Sequence, residues 1–182
     1  MNRGARSGTT LIELVMVIAI LAIIAAVVVP SLSYSDASKL AVAAEQVGNA
    51  LRFARSEAMR TGQNVLVDAE SFPGRVVLVQ RGCTAVGTPP AVINPLTQRP
   101  FDVAVTEAAQ SNGVQLAPRF LVAGTPWTGL VFDSTGAATQ ACSVAAQIAR
   151  GTPEPGSGVE LSYAGQTQTI AIDPPTGRVT GF

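Results

Sequence analysis

Three groups of side chains could do chemistry in this chain. The first is Glu13, an ionisable carboxylate set inside an otherwise apolar stretch; Leu14 to Val29 reads LVMVIAILAIIAAVVV without a polar side chain. A charge in such a segment is costly, so by default it has a function. The second is the pair Cys83 and Cys142. The third is a set of arginines spread over the second half of the chain: Arg75, Arg81, Arg99, Arg119, Arg150 and Arg178. There are no histidines, which removes Ser-His-Asp and Cys-His catalysis together with the commonest metal ligand. No CxxC, Walker loop, GxSxG elbow or GxGxxG is present. The reading is therefore non-catalytic, with no cofactor and no metal.

The elements that must position these groups follow from composition. A length of 182 residues is about one domain, and 47% hydrophobic against 13% charged residues argues a folded core. Twelve basic residues balance twelve acidic ones, so no net positive field gathers nucleic acid. The apolar run is close to the roughly 20 residues that a helix needs to span a bilayer. Arg3 and Arg6 precede it without an acid, which sets the N-terminus on the cytoplasmic side. A cleaved secretory signal fits poorly, because the run is long and Pro30-Ser31-Leu32-Ser33 is not an Ala-x-Ala site. An ordinary single-pass anchor is the plainer alternative, but it leaves Glu13 without a use.

The segment Gly8-Thr9-Thr10-Leu11-Ile12-Glu13-Leu14 resembles the class III signal of type IV pilins and type II secretion pseudopilins. The resemblance implies a basic leader, residues 1–8, cut after Gly8 by prepilin peptidase, with Thr9 as the new, methylated N-terminus. Thr9 stands where the family usually has Phe. Glu13 is then the fifth residue of the mature chain. The family's proposed partner for this carboxylate is the N-terminal amine of the neighbouring subunit, so cleavage creates the cation that assembly needs. Pro30 falls where many pilins have a helix-kinking proline. The resemblance places residues 9–30 in the membrane and later in the filament core.

Beyond Pro30 the positions Leu40, Ala44, Val47, Leu51, Ala54 and Ala58 recur at steps of four and three, one face of an amphipathic helix over residues 31–62. Gly62 is its stop. From Thr9 to Thr61 the expectation is one helix of roughly 80 Å at about 1.5 Å per residue. Residues 63–182 read as β: runs at Asn64–Asp68, Arg75–Gln80, Phe101–Val105, Val114–Ala117, Gly129–Asp133, Val159–Tyr163 and Thr169–Asp173. Hairpin turns are expected at Asp133–Gly136 and Ala164–Gln166, and surface loops at Gly82–Pro100 and Gly151–Gly158. The predicted class is α+β, a long N-terminal helix packed on an antiparallel sheet head exported to the periplasm. In that oxidising compartment Cys83 and Cys142 would pair and tie the Gly82–Pro100 loop to the sheet beside Ala141.

Three head segments carry a narrower resemblance, to GspH/FimT-type minor pilins: Phe53-Ala54-Arg55-Ser56-Glu57-Ala58 with Thr61-Gly62-Gln63-Asn64-Val65, Val131-Phe132-Asp133-Ser134-Thr135-Gly136, and Ile172-Asp173-Pro174-Pro175-Thr176-Gly177-Arg178-Val179. The region Gly82–Trp127 matches none of these patterns. The resemblance implies a minor subunit that primes type IV pilus assembly near the tip, with other pilins as partners and the inner membrane as its starting place. A GspH-like pseudopilin of type II secretion is the alternative. A DNA-uptake receptor is the second alternative, with Arg178 as its candidate contact. Some relatives use Gly-Arg-x-Arg there, but this chain has Gly177-Arg178-Val179-Thr180.

The charge-pairing reading makes a direct prediction. Glu13→Ala leaves processing after Gly8 intact but keeps the chain out of filaments, scored by immunoblot of sheared filaments against membranes. Incorporation at the wild-type level sinks the pairing.

Overall fold

The computed structural model describes residues 11–31 and 36–181, with side chains described at 11–23 and 37–181. Two compact units result, one up to residue 35 and one from Asp36 onward. The first contains helix α1, Leu11–Ser31, with Glu13 in its first turn. Its described side chains, Leu11 to Ile23, are all exposed. Among the described residues no helix is long and apolar enough to cross a membrane. The expected span over residues 9–30 lies partly outside them, since 24–30 have no described side chains. Pro30 is within α1 one residue from its end; the kink expected there and the continuity of one helix through residues 32–35 lie outside the described residues.

The second unit opens with helix α2, Asp36–Thr61. The predicted stripe is its buried face: Leu40, Ala44, Val47, Leu51, Ala54 and Ala58 are all 4% exposed or less, joined by Ala43 and Ala50. Gly62 ends the helix in the left-handed region, φ 67°, its N–H donating to Ala58 O at 2.9 Å. That conformation has no steric penalty for glycine. Arg60 donates two hydrogen bonds to the Glu57 carboxylate, at 2.8 and 2.6 Å, inside the last turn.

Eleven strands follow: β1 Val65–Asp68, β2 Arg75–Val79, β3 Asp102–Ala104, β4 Gln115–Val122, β5 Thr125–Trp127, β6 Gly129–Phe132, β7 Ala138–Ser143, β8 Ile148–Ala149, β9 Gly158–Tyr163, β10 Gln166–Asp173 and β11 Arg178–Thr180. They form not one sheet but two, in the orders β3-β2-β1-β6-β7-β8 and β11-β10-β9-β4-β5, antiparallel throughout. Helix α2 touches β1, β2, β3 and β6 of the first and β9, β10 and β11 of the second. One core unites them, with Phe120, Leu161, Ile170 and Ile172 from the second sheet against Val65, Leu78, Leu130 and Phe132 from the first.

The seven predicted runs are all strands, with ends shifted by one to a few residues. Both predicted hairpins form. At Ala164-Gly165 both central residues have positive φ, 49° and 80°, the type I′ geometry whose twist matches that of its strands. β5, β7 and β8 carry little pattern. β5 has a proline at a sheet edge, and β7, ATQACS, is built of small and polar residues that neighbouring strands hold in place. The Gly82–Pro100 segment is less of a surface loop than expected. Val92 is 1% exposed, and bridges Val79↔Ala91 and Ile93↔Pro100 extend the first sheet into it.

The three motif segments of the head converge. The β6–β7 turn and the β10–β11 turn, one from each sheet, meet on α2. Ala138 N–H donates to Pro174 O at 2.9 Å, and Arg55 Nε donates to Gly136 O at 3.3 Å. Gly177, at φ 63°, presses so closely on this turn that a Cβ there would overlap the Gly136 carbonyl oxygen. Gly177→Ala is therefore expected to destabilise the head by about 2 kcal/mol or more, combining backbone strain with a clash. Urea unfolding of residues 36–182 monitored by circular dichroism measures it, and a change under about 0.5 kcal/mol would show that the two turns are not pressed together as described.

Candidate functional site

Helix α1 carries the first candidate. A continuous apolar run favours a helix because only there are all backbone groups paired without help from outside the segment. Glu13 lies one turn from Val17 and shares a shallow hollow with Leu14, Val17 and Ile18. Ten large apolar side chains between Leu11 and Ile23 are more than 50% exposed, an area that a soluble protein does not leave to water. Gly8 and Thr9, the predicted processing pair, lie outside the described residues.

The arginines of the head do not gather. Arg75 on β2 donates to Asp102 at 3.1 and 2.8 Å and to Glu107 at 3.1 Å. The hydrogen bonds to Asp102 and the charge of both acids hold the pKa of its guanidinium above the ordinary value. Arg119 on β4 pairs with Glu160 at 3.1 Å. Arg150 lies over the Trp127 ring, 5.0 Å from its centroid, and Arg81 is half-buried. Arg178 is exposed on β11 opposite Asp173 on β10, with two strands between it and Arg119. Phosphate binding needs clustered cations, and these are dispersed over both sheets, with Arg75 and Arg119 neutralised by acids.

Cys83 and Cys142 form a disulfide, Cα to Cα 5.8 Å. Both are buried, in a second small cluster with Leu66, Val131 and Val144. The members alternate along β1 and β6 with main-core residues, so this cluster covers the other face of the first sheet. The loop after β2 is thereby fastened over that face, as the sequence predicted for a bond beside Ala141. Closing a span of this length stabilises the fold by about 4 kcal/mol in the chain-entropy model.

Glu70, two residues past the end of β1, completes the same layer and was not singled out from the sequence. Its carboxylate accepts hydrogen bonds from Thr128 Oγ1 and Ser143 Oγ, both 2.9 Å, and from the N–H of Val144 at 2.7 Å. Partial burial pushes its pKa up, but these bonds, with a weaker one from the Ala145 N–H, outweigh it and leave the group below its ordinary value. Those partners lie 58 to 75 residues away, so no local pattern marks this residue. Asp133 is held down in the same manner: burial opposes ionisation, and Thr135 with the N–H groups of Ala137 and Gly136 overcomes it at the β6–β7 turn.

A carboxyl lowered on folding adds stability that is complete above its unfolded value, near 4.5 for Glu70, and that is lost as pH falls through the folded value. Glu70→Ala is therefore expected to cost on the order of 1–3 kcal/mol at pH 7, and the gap to wild type should narrow below about pH 4. Denaturant titrations at pH 7, 5 and 3.5 test this; a gap that stays constant across that range would overturn it.

The chain can also be set beside known proteins. The family model described as Type II transport protein GspH matches residues 43–182. The fold is similar to that of the type IV minor pilin FimU of Pseudomonas aeruginosa, at 15% identity over 79% of this chain and 87% of that one, TM-score 0.50. It is also similar to the minor pseudopilin EpsH from the Type 2 Secretion System of Vibrio cholerae, at 17% identity over 79% and 96%, TM-score 0.51. At such identities the likeness concerns the fold. No curated protein matches this chain.

Proposed function

The chain belongs to the GspH family of type II transport proteins, and from that premise we propose that it is a minor pilin, a structural subunit that primes type IV pilus assembly near the tip. One observation carries the reading: a GspH-type head follows a helix whose described side chains, almost all apolar, are exposed from Leu11 to Ile23. Such a surface requires lipid before assembly and other apolar helices afterwards. In this reading the chain starts in the bacterial inner membrane, N-terminus cytoplasmic and head periplasmic. Prepilin peptidase removes residues 1–8 after Gly8, and Thr9 supplies the amine that pairs with Glu13 of a neighbouring subunit. Residues 9–30 enter the filament core, with Pro30 bending the helix, and 31–62 support the β-rich head of 63–182. Its partners are other minor and major pilins, and it has no catalytic role.

A second reading is a pseudopilin of a type II secretion system, favoured by the description of the matching family and by the likeness to EpsH. DNA uptake through Arg178 gains no support from the dispersed arginines.

Surface piliation in a deletion strain, with and without the restored gene, separates these readings. Loss of pili with recovery on complementation is expected. Normal pili with secreted enzymes retained in the periplasm would replace the pilus by the secretion pseudopilus. Unchanged pili and unchanged secretion would overturn the priming role.

A further inference from the structure

The least water-compatible side chain of the head is Leu96, 92% exposed at the tip of the turn from Ile93 to Arg99. Ile93 beside it is 49% exposed. The turn holds one shape. Asn94 N–H donates to Arg99 O at 2.8 Å, Gln98 N–H to Asn94 O at 2.9 Å, Leu96 N–H to Asn94 Oδ1 at 2.9 Å, and Gln98 Nε2 to Pro95 O at 2.8 Å. Gln98 accepts a left-handed φ of 54° to complete it. Its base is fixed to the first sheet through buried Val92, whose N–H donates to Leu78 O at 3.1 Å, and the same loop is fastened at its other end by Cys83. An apolar side chain presented on a backbone already ordered loses little entropy on binding, and such an anchor contributes most when it fills a pocket.

Charge narrows what that pocket must be. Between Gly82 and Pro100 the sole charged residue is Arg99, three positions from Leu96, and there is no acid. Arg99 is exposed, and no ion pair is formed by it among the described residues. The complementary surface is an apolar pocket with a carboxylate at its rim. Three clefts on this chain's own head do not supply one: two hold an arginine with the acid, Arg119 with Glu160 and Arg52 with Glu45, and the third, with Gln115 and Ser162, has no acid in its lining. In the first two the carboxylate already shares its cleft with a cation, so a second copy of this head is a poor host.

We propose that the turn Ile93–Arg99 is a preformed docking knob, which seats Leu96 in an apolar, carboxylate-rimmed pocket on the head of a different pilin-type subunit, with Arg99 pairing at the rim. The proposal rests on the reading of this chain as a filament subunit. It assigns a partner-binding role to a turn within Gly82–Trp127, a region that none of the three motif segments of the head covers.

The test uses the full chain expressed in cells that build the filament. Position 96 carries the photo-reactive residue benzoyl-phenylalanine, and, in parallel, Leu96→Asp and Arg99→Glu are followed into sheared filaments. Circular dichroism of each full-length variant in detergent checks folding, which an exposed position should not disturb. The expected results are a cross-link from position 96 to the head of another pilin-type subunit, and incorporation reduced at least about tenfold by Leu96→Asp. A cross-link to a second copy of this chain, to lipid or to a protein that is not pilin-type would overturn the proposal. So would wild-type incorporation of Leu96→Asp. If the wild-type chain itself never enters filaments, the filament-subunit reading fails, and the docking proposal with it.

Discussion

The contact on which the rest of the head depends is the close approach of two sheets to one helix. Helix α2 presents mostly alanine along its buried face, Ala43, Ala44, Ala50, Ala54 and Ala58, with Leu40, Val47 and Leu51 between them. Alanine suits a helix that must be covered on more than one side. It has the highest intrinsic propensity, loses no side-chain entropy, and lets a neighbouring backbone come near. The larger side chains then come from the sheets, Phe120, Leu161 and Ile170 on one side and Leu78, Leu130 and Phe132 on the other. Each such side chain contributes about 1.5–3 kcal/mol on full burial. Either sheet without the helix would leave this face in water.

Two further layers are built onto that core, each tying turns or loops to it. One is the junction at Arg55, where the β6–β7 and β10–β11 turns close the far end of the two sheets through backbone contacts that only glycine permits. The other lies on the outer face of the first sheet, where the Cys83–Cys142 bond and the Glu70 hydrogen bonds hold a loop and a turn over Leu66 and Val131. This explains why β1 reads VLVD with all four positions buried: it has a core on each face. It also gives the chain a reason to fold in an oxidising compartment, since the outer layer depends on a covalent bond.

Function follows from two surfaces that the fold leaves uncovered. Helix α1 shows apolar side chains on every described side, and its chemistry is reduced to one carboxylate near its start. In the head, Arg75 and Arg119 are matched to acids and the other arginines are dispersed, so it offers shape and a few apolar points rather than a field. A subunit of this kind works by where it fits.

The sequence by itself determined the elements with strong periodicity and the motifs with fixed offsets. The stripe from Leu40 to Ala58, the stop at Gly62, both hairpin turns and seven strands are local: the residues that specify them lie within one or two turns of each other. Glu13 stands out in the sequence in the same way, as one charge against an apolar background. What only the tertiary structure decided involves partners distant in the chain. The division into two sheets, the weakly patterned β5, β7 and β8, and the double burial of β1 depend on which strands lie side by side. Glu70 looked like any surface acid until Thr128 and Ser143 were brought to it. The three head motifs could be read singly, but their meeting at Arg55 could not. Nor could the fate of the arginines, because a charge in sequence has no neighbours until folding supplies an acid at about 3 Å. Local order is written in spacing, whereas contact across 60 or 80 residues is set by how the whole core packs.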